Sequence, residues 1–444
     1  MRNLKCVHHT WSKGSTDLIV AASTWNAAAN VILCAYGPSK SKQVIELKQI
    51  SAVNADGELT ETLLASWDAP CPQPELDCDK IINLHHFEYN NSSCLVLAGG
   101  DLVVVRGDIA AGQEKIEIVG SIDVGISAAA WSPDEELLVV VTRAATVLFM
   151  TPDFESVADT AFSPDDVKLS KHVNVGWGKS ETQFKGKRAK ALRDPTMPEK
   201  VDEGTLSAAD GQEIFVSWRG DGAFVAINSI EENTRRMIRV YSREGVLDSV
   251  SEPVDGLEGS ISWRPQGNLI AGVQRLNDQI NLIFFERNGL RHGQSLLKDN
   301  AAGELSSDQI RLNWNTDSTV LAVSYGDHIE LWTMGNYHYY LKQDICLGSA
   351  VRDRRVHVCW HPEEPLRLLA FQESLNVAQQ DELVITAKVL PLVDHGVHQF
   401  RFVSDLNGGP TTPPIDLGLI LVIDRRKLAD STRLDTEIPT TYTH

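Results

Sequence analysis

Between Ser127 and Trp360 the chain repeats one order of apolar and polar positions. A small or apolar lead-in meets a Trp, a polar turn follows, and an apolar run closes the phrase. It reads AAWSPDEELLVVV at Trp131, VSWRGDGAFVA at Trp218 and ISWRPQGNLIA at Trp263, then LNWNTDSTVLAV at Trp314 and VCWHPEEPLRLLA at Trp360. Apolar runs on both sides of a turn rich in Pro, Gly or Asp predict two antiparallel strands joined by a tight loop. About 20 residues beyond each Trp a second apolar run ends on a large side chain: Met150, Tyr241, Phe285 and Trp332. These fit the third strand of a four-stranded unit, with the bulky residue packed between neighbouring units.

Trp218, Trp263, Trp314 and Trp360 are spaced by 45, 51 and 46 residues. Trp131 and Trp218 are 87 apart, about two periods, with Trp177 between them. A period of roughly 40–45 residues with four strands per unit predicts a WD40-type β-propeller. The Asp that often follows the third-strand aromatic is replaced by Thr151, Ser242, Glu286 and Thr333, so the repeat is degenerate.

In chain order, residues 1–50 supply the first blade and SWDAPCPQPELDCD (66–79) an exposed loop. Phe87 takes the Trp position of the second blade. The third blade runs over about 120–165, and the fourth opens near Val173 around Trp177. A polar insertion at about 185–210 interrupts it. Three more blades complete a seven-bladed propeller over 1–345, with the N-terminal strand pairing into the last blade to close the ring. The phrase at Trp360 then opens an incomplete second propeller over 346–444, ending in a polar tail expected to be disordered. The expected fold class is all-β.

Composition narrows the class of function. The 444 residues carry 41 Lys and Arg against 60 Asp and Glu, a formal charge of −19. A stand-alone binder of DNA or RNA needs clustered positive charge, which this balance lacks. No apolar run approaches the ~20 residues that cross a bilayer, and the first residues lack the apolar core of a signal peptide. Seven Cys stand at 6, 34, 71, 78, 94, 346 and 359 without close CxxC pairs, which suits buried thiols in a reducing compartment.

Candidate chemistry is sparse. His8-His9 and His85-His86 are adjacent pairs whose side chains point to opposite faces of a strand, so neither pair chelates well. There is no HExxH, no GxSxG and no P-loop. The basic run from Lys185 to Lys190 could touch phosphate, but Glu199, Asp202 and Glu203 answer it as a solvated charge balance. Arg352, Arg354 and Arg355 lie at the expected junction, and Tyr337, Tyr339 and Tyr340 fit an interface as well as a core. The Trp series reads as core. No catalytic, cofactor-binding or metal residue is assigned and no cofactor is expected.

Several phrases are more specific than a WD40 pattern. MRNLK, AAWSPDEELLVVVT, VGWGKSETQFKG, VSWRGDGAFVA with IRVYSREG, SEPVDGLEGSISWRPQGNLIA, IFFERNGLRHG and LWTMGNYHYYLKQ are collinear from residue 1 to about 370. Together they resemble the Elongator complex protein 1 family, the largest subunit of Elongator. That resemblance implies two N-terminal propellers, a helical-repeat region and a C-terminal dimerisation region, the last two absent from this sequence. It implies a non-catalytic scaffold for tRNA wobble-uridine modification, with the chemistry on another subunit. Expected partners are the catalytic subunit and the second WD40 subunit, with tRNA reached only through the complex and no membrane. Homodimerisation is expected to need the absent region. The expected location is the cytoplasm, with the nucleus as a second compartment. The alternatives are a WD40 scaffold of a trafficking or coat assembly and a propeller hydrolase.

Overall fold

Runs of four to ten residues rich in Val, Ile, Leu and aromatics, broken by polar turns, form strands almost throughout. The computed structural model describes residues 4–11, 18, 20–52, 59–109, 113–169, 202–231, 234–276, 279–299, 310–326, 328–335, 338–346, 356–372, 384–389, 398–403 and 419–424.

Strand β1 (Lys5–Trp11) opens the chain. The first full sheet is β2 (Val20–Asn26), β3 (Val31–Tyr36), β4 (Val44–Ala52) and β5 (Leu59–Asp68). The second is β6 (Ile81–Phe87), β7 (Ser92–Leu97), β8 (Asp101–Arg106) and β9 (Ile116–Ser121). The third is β10 (Ile126–Trp131), β11 (Leu138–Thr142), β12 (Thr146–Met150) and β13 (Ser156–Ala161), followed by a 3-10 turn over Pro164–Leu169. The fourth is β14 (Phe215–Trp218), β15 (Phe224–Glu231), β16 (Arg235–Ser242) and β17 (Leu247–Val250). The fifth is β18 (Leu257–Trp263), β19 (Leu269–Leu276), β20 (Gln279–Glu286) and β21 (Arg291–Asp299). The sixth begins with β22 (Arg311–Trp314), β23 (Val320–Tyr325), β24 (His328–Gly335) and β25 (His338–Cys346). The seventh takes β26 (Val356–Trp360) and β27 (Leu368–Gln372). Then β28 (Val384–Val389) and β29 (His398–Val403) extend the sixth sheet to six strands. Finally β30 (Leu419–Asp424) returns to the seventh, between β27 and β1.

The sheets form a propeller because each buries both faces against its neighbours. Seven apolar clusters fill the seams. One joins the first and second sheets through Leu47, Leu84 and Leu95, and the next joins the second and third through Phe87, Val96 and Leu138. Phe149 and Tyr241 meet in the third seam, Ile238 and Phe285 in the fourth, Phe284 and Trp332 in the fifth. Leu331 and Leu368 share the sixth, and Leu369 with Ile32 closes the ring. The large third-strand residues Met150, Tyr241, Phe285 and Trp332 are all buried in these seams, where the sequence pattern puts them.

The Trp that ends an innermost strand ties its sheet to the one before. Trp218 Nε1 donates to the Ala130 carbonyl at 3.0 Å, Trp360 Nε1 to Asn313 at 3.0 Å and Trp25 Nε1 to Cys359 at 3.5 Å. The residue before the Trp reaches forward: Ser217 Oγ accepts from Trp263 N at 2.8 Å and Ser262 Oγ from Trp314 N at 3.2 Å. Asn313 Nδ2 donates to Val358 O at 2.9 Å.

Three expectations meet a different arrangement. The bond from Trp218 to Ala130 makes the third and fourth sheets direct neighbours, where the spacing predicted a blade between them; Trp177 lies outside the described residues. Among the described residues six sheets begin before residue 346. The expected boundary at 345/346 falls between the sixth and seventh, because Trp360 is bonded to both Asn313 and, through Cys359, the first sheet. Pairing of β1 with a late strand is observed, and that strand is β30, far beyond 345. The end of the polar insertion, residues 202–210, is held against the fourth and fifth sheets rather than lying free.

Candidate functional site: a ring of turns

In an antiparallel four-stranded unit, the turns after the first and third strands point to the same end. At that end of this propeller, the turn after each innermost strand bonds to the next sheet. Glu88 Oε1 accepts from the amides of Ala27 and Ala28 at 2.8 and 3.1 Å. His85 Nε2 and Glu135 Oε1 are 2.9 Å apart. Arg243 pairs with Asp134 at 2.6 Å and with Glu136. Arg219 donates to Asn268 at 3.0 Å and Gly220 N to Pro265 O at 3.1 Å. Arg264 Nε donates to Ser318 O at 3.1 Å, Asn315 Nδ2 to Pro365 O at 2.8 Å, and Arg367 to Asn30 at 2.6 Å. All seven seams are thus stitched at one face.

The acidic turn residues serve that ring. Asp134 accepts from the Ser132 hydroxyl at 2.5 Å and from Glu136 N, which fixes the turn locally. Burial by itself raises its carboxyl, but those bonds and Arg243 outweigh it and hold it below the usual carboxylate range. Asp221 is lowered by Arg219, which grips it with two bonds of 2.7 Å. These are carboxylates committed to structure.

The strap of residues 202–210 is bound by buried charge. Arg236 and Asp210 form an ion pair with side chains 1% and 4% exposed. Ser207 Oγ donates to Glu258 at 3.1 Å, and Glu258 meets Arg275 at 2.5 Å. Asp255 Oδ1 accepts from the amides of Glu203, Gly204 and Thr205 at 2.9–3.0 Å. Arg239 holds Asp166 at 2.9 Å, so the described residues on both sides of 170–201 are anchored to β16.

Among the described residues, those singled out from sequence do not converge. His85 faces Glu135 whereas His86 Nδ1 sits 3.0 Å from Ser93 Oγ, and burial lowers the His86 pKa. His8 and His9 are consecutive positions of β1. Lys185 to Lys190, Arg352, Arg354, Arg355 and Tyr337 lie outside the described residues. Tyr339 stacks on Phe284 with centroids 4.2 Å apart. Among the described residues no group of three His, Cys, Asp or Glu could hold a metal ion, and no helix is long and apolar enough to cross a membrane. Glu330 carries a strongly shifted carboxyl, pushed up to about 7 by burial, yet it accepts from Tyr325 and from Trp332 Nε1 and is 4% exposed. It offers no surface to a substrate. The described carboxylates of the turn ring at Glu88, Asp134, Glu135 and Glu136 are engaged in hydrogen bonds and ion pairs that join neighbouring sheets.

Comparison with known proteins agrees with the repeat and with the specific phrases. A family model described as the ELP1 first N-terminal beta-propeller matches residues 1–363. Elongator complex protein 1 of Schizosaccharomyces pombe is 37% identical over 434 residues, covering 96% of this chain and 32% of the relative. The Saccharomyces cerevisiae protein of the same name is 37% identical over 440 residues, covering 91% and 30%, and that of Mus musculus 36% over 310 residues, covering 66% and 22%. This chain spans about a third or less of the length of these curated relatives. Among solved structures, the C-terminal WD40 domain of Sif2 aligns with a TM-score of 0.50 at 12% identity, covering 95% of this chain and 98% of that one, a likeness of fold alone. With the family model spanning most of the sequence and yeast relatives aligned along nearly all of it, the chain belongs to the Elongator complex protein 1 family.

Proposed function

We propose that this chain is a non-catalytic docking subunit of the Elongator complex, supporting tRNA wobble-uridine modification performed by another subunit. The family relationship supports membership of the complex. The observation that carries the docking role is the stitched turn face: ties between neighbouring sheets make an end that keeps its shape when a partner binds. A pre-ordered surface loses little conformational entropy on association, which is what a scaffold needs. In this reading the seven sheets are the blades of one closed propeller, completed by β26, β27, β30 and β1, and any second propeller lies beyond that closure. Contact with tRNA is indirect, since an acidic chain repels phosphate. The location is the cytoplasm, with the nucleus as a second compartment.

The test is affinity purification of the tagged chain from its own cells, with the bound proteins identified by mass spectrometry. Recovery of Elongator's catalytic and second WD40 subunits supports the proposal. Recovery of coat or trafficking proteins in their place overturns it, and so does folded chain that brings down neither subunit. Hydrolytic turnover by the purified chain would return the propeller-hydrolase reading.

A further inference from the structure

Within the ring of turns one seam differs from the rest. Three of its arginines meet carboxylates: Arg219 grips Asp221, Arg243 meets Asp134 and Glu136, and Arg367 meets Glu364. Arg264, between the fifth and sixth sheets, has no carboxylate within ion-pair distance among the described residues. Its Nε is pinned by Ser318 O, and its guanidinium lies over the Trp314 ring, 5.7 Å from the centroid. Both terminal nitrogens are left as planar, paired donors, the geometry that matches a carboxylate.

Beneath it two polar atoms lack acceptors while closed to solvent, and they mark a seam whose polar groups are incompletely paired. Trp314 is 5% exposed and its Nε1 has no partner, as is also true of Trp131, whereas Trp25, Trp218 and Trp360 use that atom to bond the preceding sheet and Trp263 bonds its own turn at Gly267. The Tyr339 hydroxyl is also unpartnered, and its ring is 6.0 Å from that of Trp314. Arg264 is close enough to draw the Tyr339 pKa down against the upward push of burial. Met334, 42% exposed, sits directly opposite Tyr339 in the β24–β25 ladder and so shares its face. Arg, Tyr, Trp and Met are the residues enriched where one protein docks on another.

We infer that the fifth–sixth seam of the turn face receives an extended segment of a partner protein, whose Asp or Glu carboxylate pairs with Arg264 while its neighbouring apolar residue covers Met334 and Tyr339. The inference rests on the docking role proposed above. A protein carboxylate fits better than a nucleic-acid backbone because the same face carries Asp317, Asp221 and Glu363. A run of phosphates would meet these carboxylates, whereas a single carboxylate flanked by polar or basic residues would not.

A photo-reactive amino acid placed at Met334 of the tagged chain, in its own cells, tests this by cross-linking within the purified complex. The expected product joins position 334 to a partner segment with an Asp or Glu within a few residues. Arg264→Gln is expected to lower its yield about tenfold or more, and Arg264→Lys to retain part of it. Pairing Arg264→Glu with a Lys at the cross-linked acid should restore the product. Several results overturn the inference: cross-links to RNA or to a second copy, a partner segment lacking an acid, a yield indifferent to Arg264, or no product from an intact complex. Failure to recover any complex overturns the docking role itself, a result distinct from these.

Discussion

Replacing Asp210 with Ala should unfasten the strap that leads into the fourth sheet. Arg236 is 1% exposed at its side chain, and Asp210 is the carboxylate that meets it, with Nη2 to Oδ1 at 2.6 Å. Arg236 Nη1 already lacks a partner, so no second acceptor stands ready to take over. Asp210→Ala therefore leaves a guanidinium buried and uncompensated, a change that costs about 3–5 kcal/mol. The bond of 2.7 Å from Gln212 N to Asp210 Oδ1 is lost as well, adding ~1 kcal/mol. Arg236→Met strands the carboxylate and should cost a similar amount. The double variant buries neither charge, so it should be more stable than the sum of the single losses by ~3 kcal/mol. Urea unfolding gives the free energies, with hydrogen exchange over 235–242 reporting the site locally. Because a chain of this size can unfold in steps, the exchange data decide whether the loss is local or global. A loss under ~1 kcal/mol for Asp210→Ala, or strictly additive single variants, would refute the argument that the pair holds the strap.

Three further outcomes follow from burial and backbone geometry. Burial, reinforced by Asp344 on the neighbouring strand, lifts Glu330 from 4.5 to about 7, so the folded state holds this proton more tightly than the unfolded state. Stability from this group is complete below its unfolded value and is lost as pH rises through about 7. The loss is on the order of 3 kcal/mol, and Glu330→Gln should flatten the slope of urea stability between pH 5 and 8. Asp79, pushed up to about 6, adds the same sign at lower pH. Gly256 has φ +69°, and a Cβ there would lie 1.9 Å from the Arg275 carbonyl; Gly256→Ala should lower the unfolding free energy by ~2 kcal/mol or more in a urea titration. Cys34, Cys94 and Cys359 have thiols pushed up by burial, the last two to about 12, so a thiol reagent should label Cys71 in the folded chain and these three only on unfolding.

The propeller was legible because its period is carried by aromatic residues with strong burial, and burial is local information. The order of the sheets was less legible. An 87-residue gap accommodates either a degenerate blade or an insertion, and spacing does not separate them. What separates them is the hydrogen bond from Trp218 to Ala130, made across the gap. Trp25 escaped the phrase because its turn reads NAAAN, without Pro, Gly or Asp, although Asn26 and Asn30 fix the same geometry. Asn26 Oδ1 accepts from Ala29 N at 2.9 Å, and Asn30 takes a positive φ of 52°. Joining β30 to β1 unites residues more than 400 apart in sequence, a pairing that no periodicity encodes.

The candidate site shows the same division between local and long-range information. The residues before Trp218, Trp263 and Trp314 were in plain view as Ser217, Ser262 and Asn313, three side chains able to bond a neighbouring backbone, and that was a readable signal for the seam ties. The strap was hidden by its own polarity: a stretch ending in Asp210 has the composition of a solvated loop. The missing clue lay elsewhere, in RRMIRV, where Arg235, Arg236 and Arg239 interrupt an otherwise apolar run. Arg236 and Arg239 are each 1% exposed at their side chains, and a guanidinium that deep requires a carboxylate from another segment. Buried arginines in a strand therefore announce that some acidic stretch, remote in sequence, is folded onto them. Here those stretches are Asp166 and Asp210, on either side of residues 170–201, so one strand holds two segments that lie 44 residues apart in sequence.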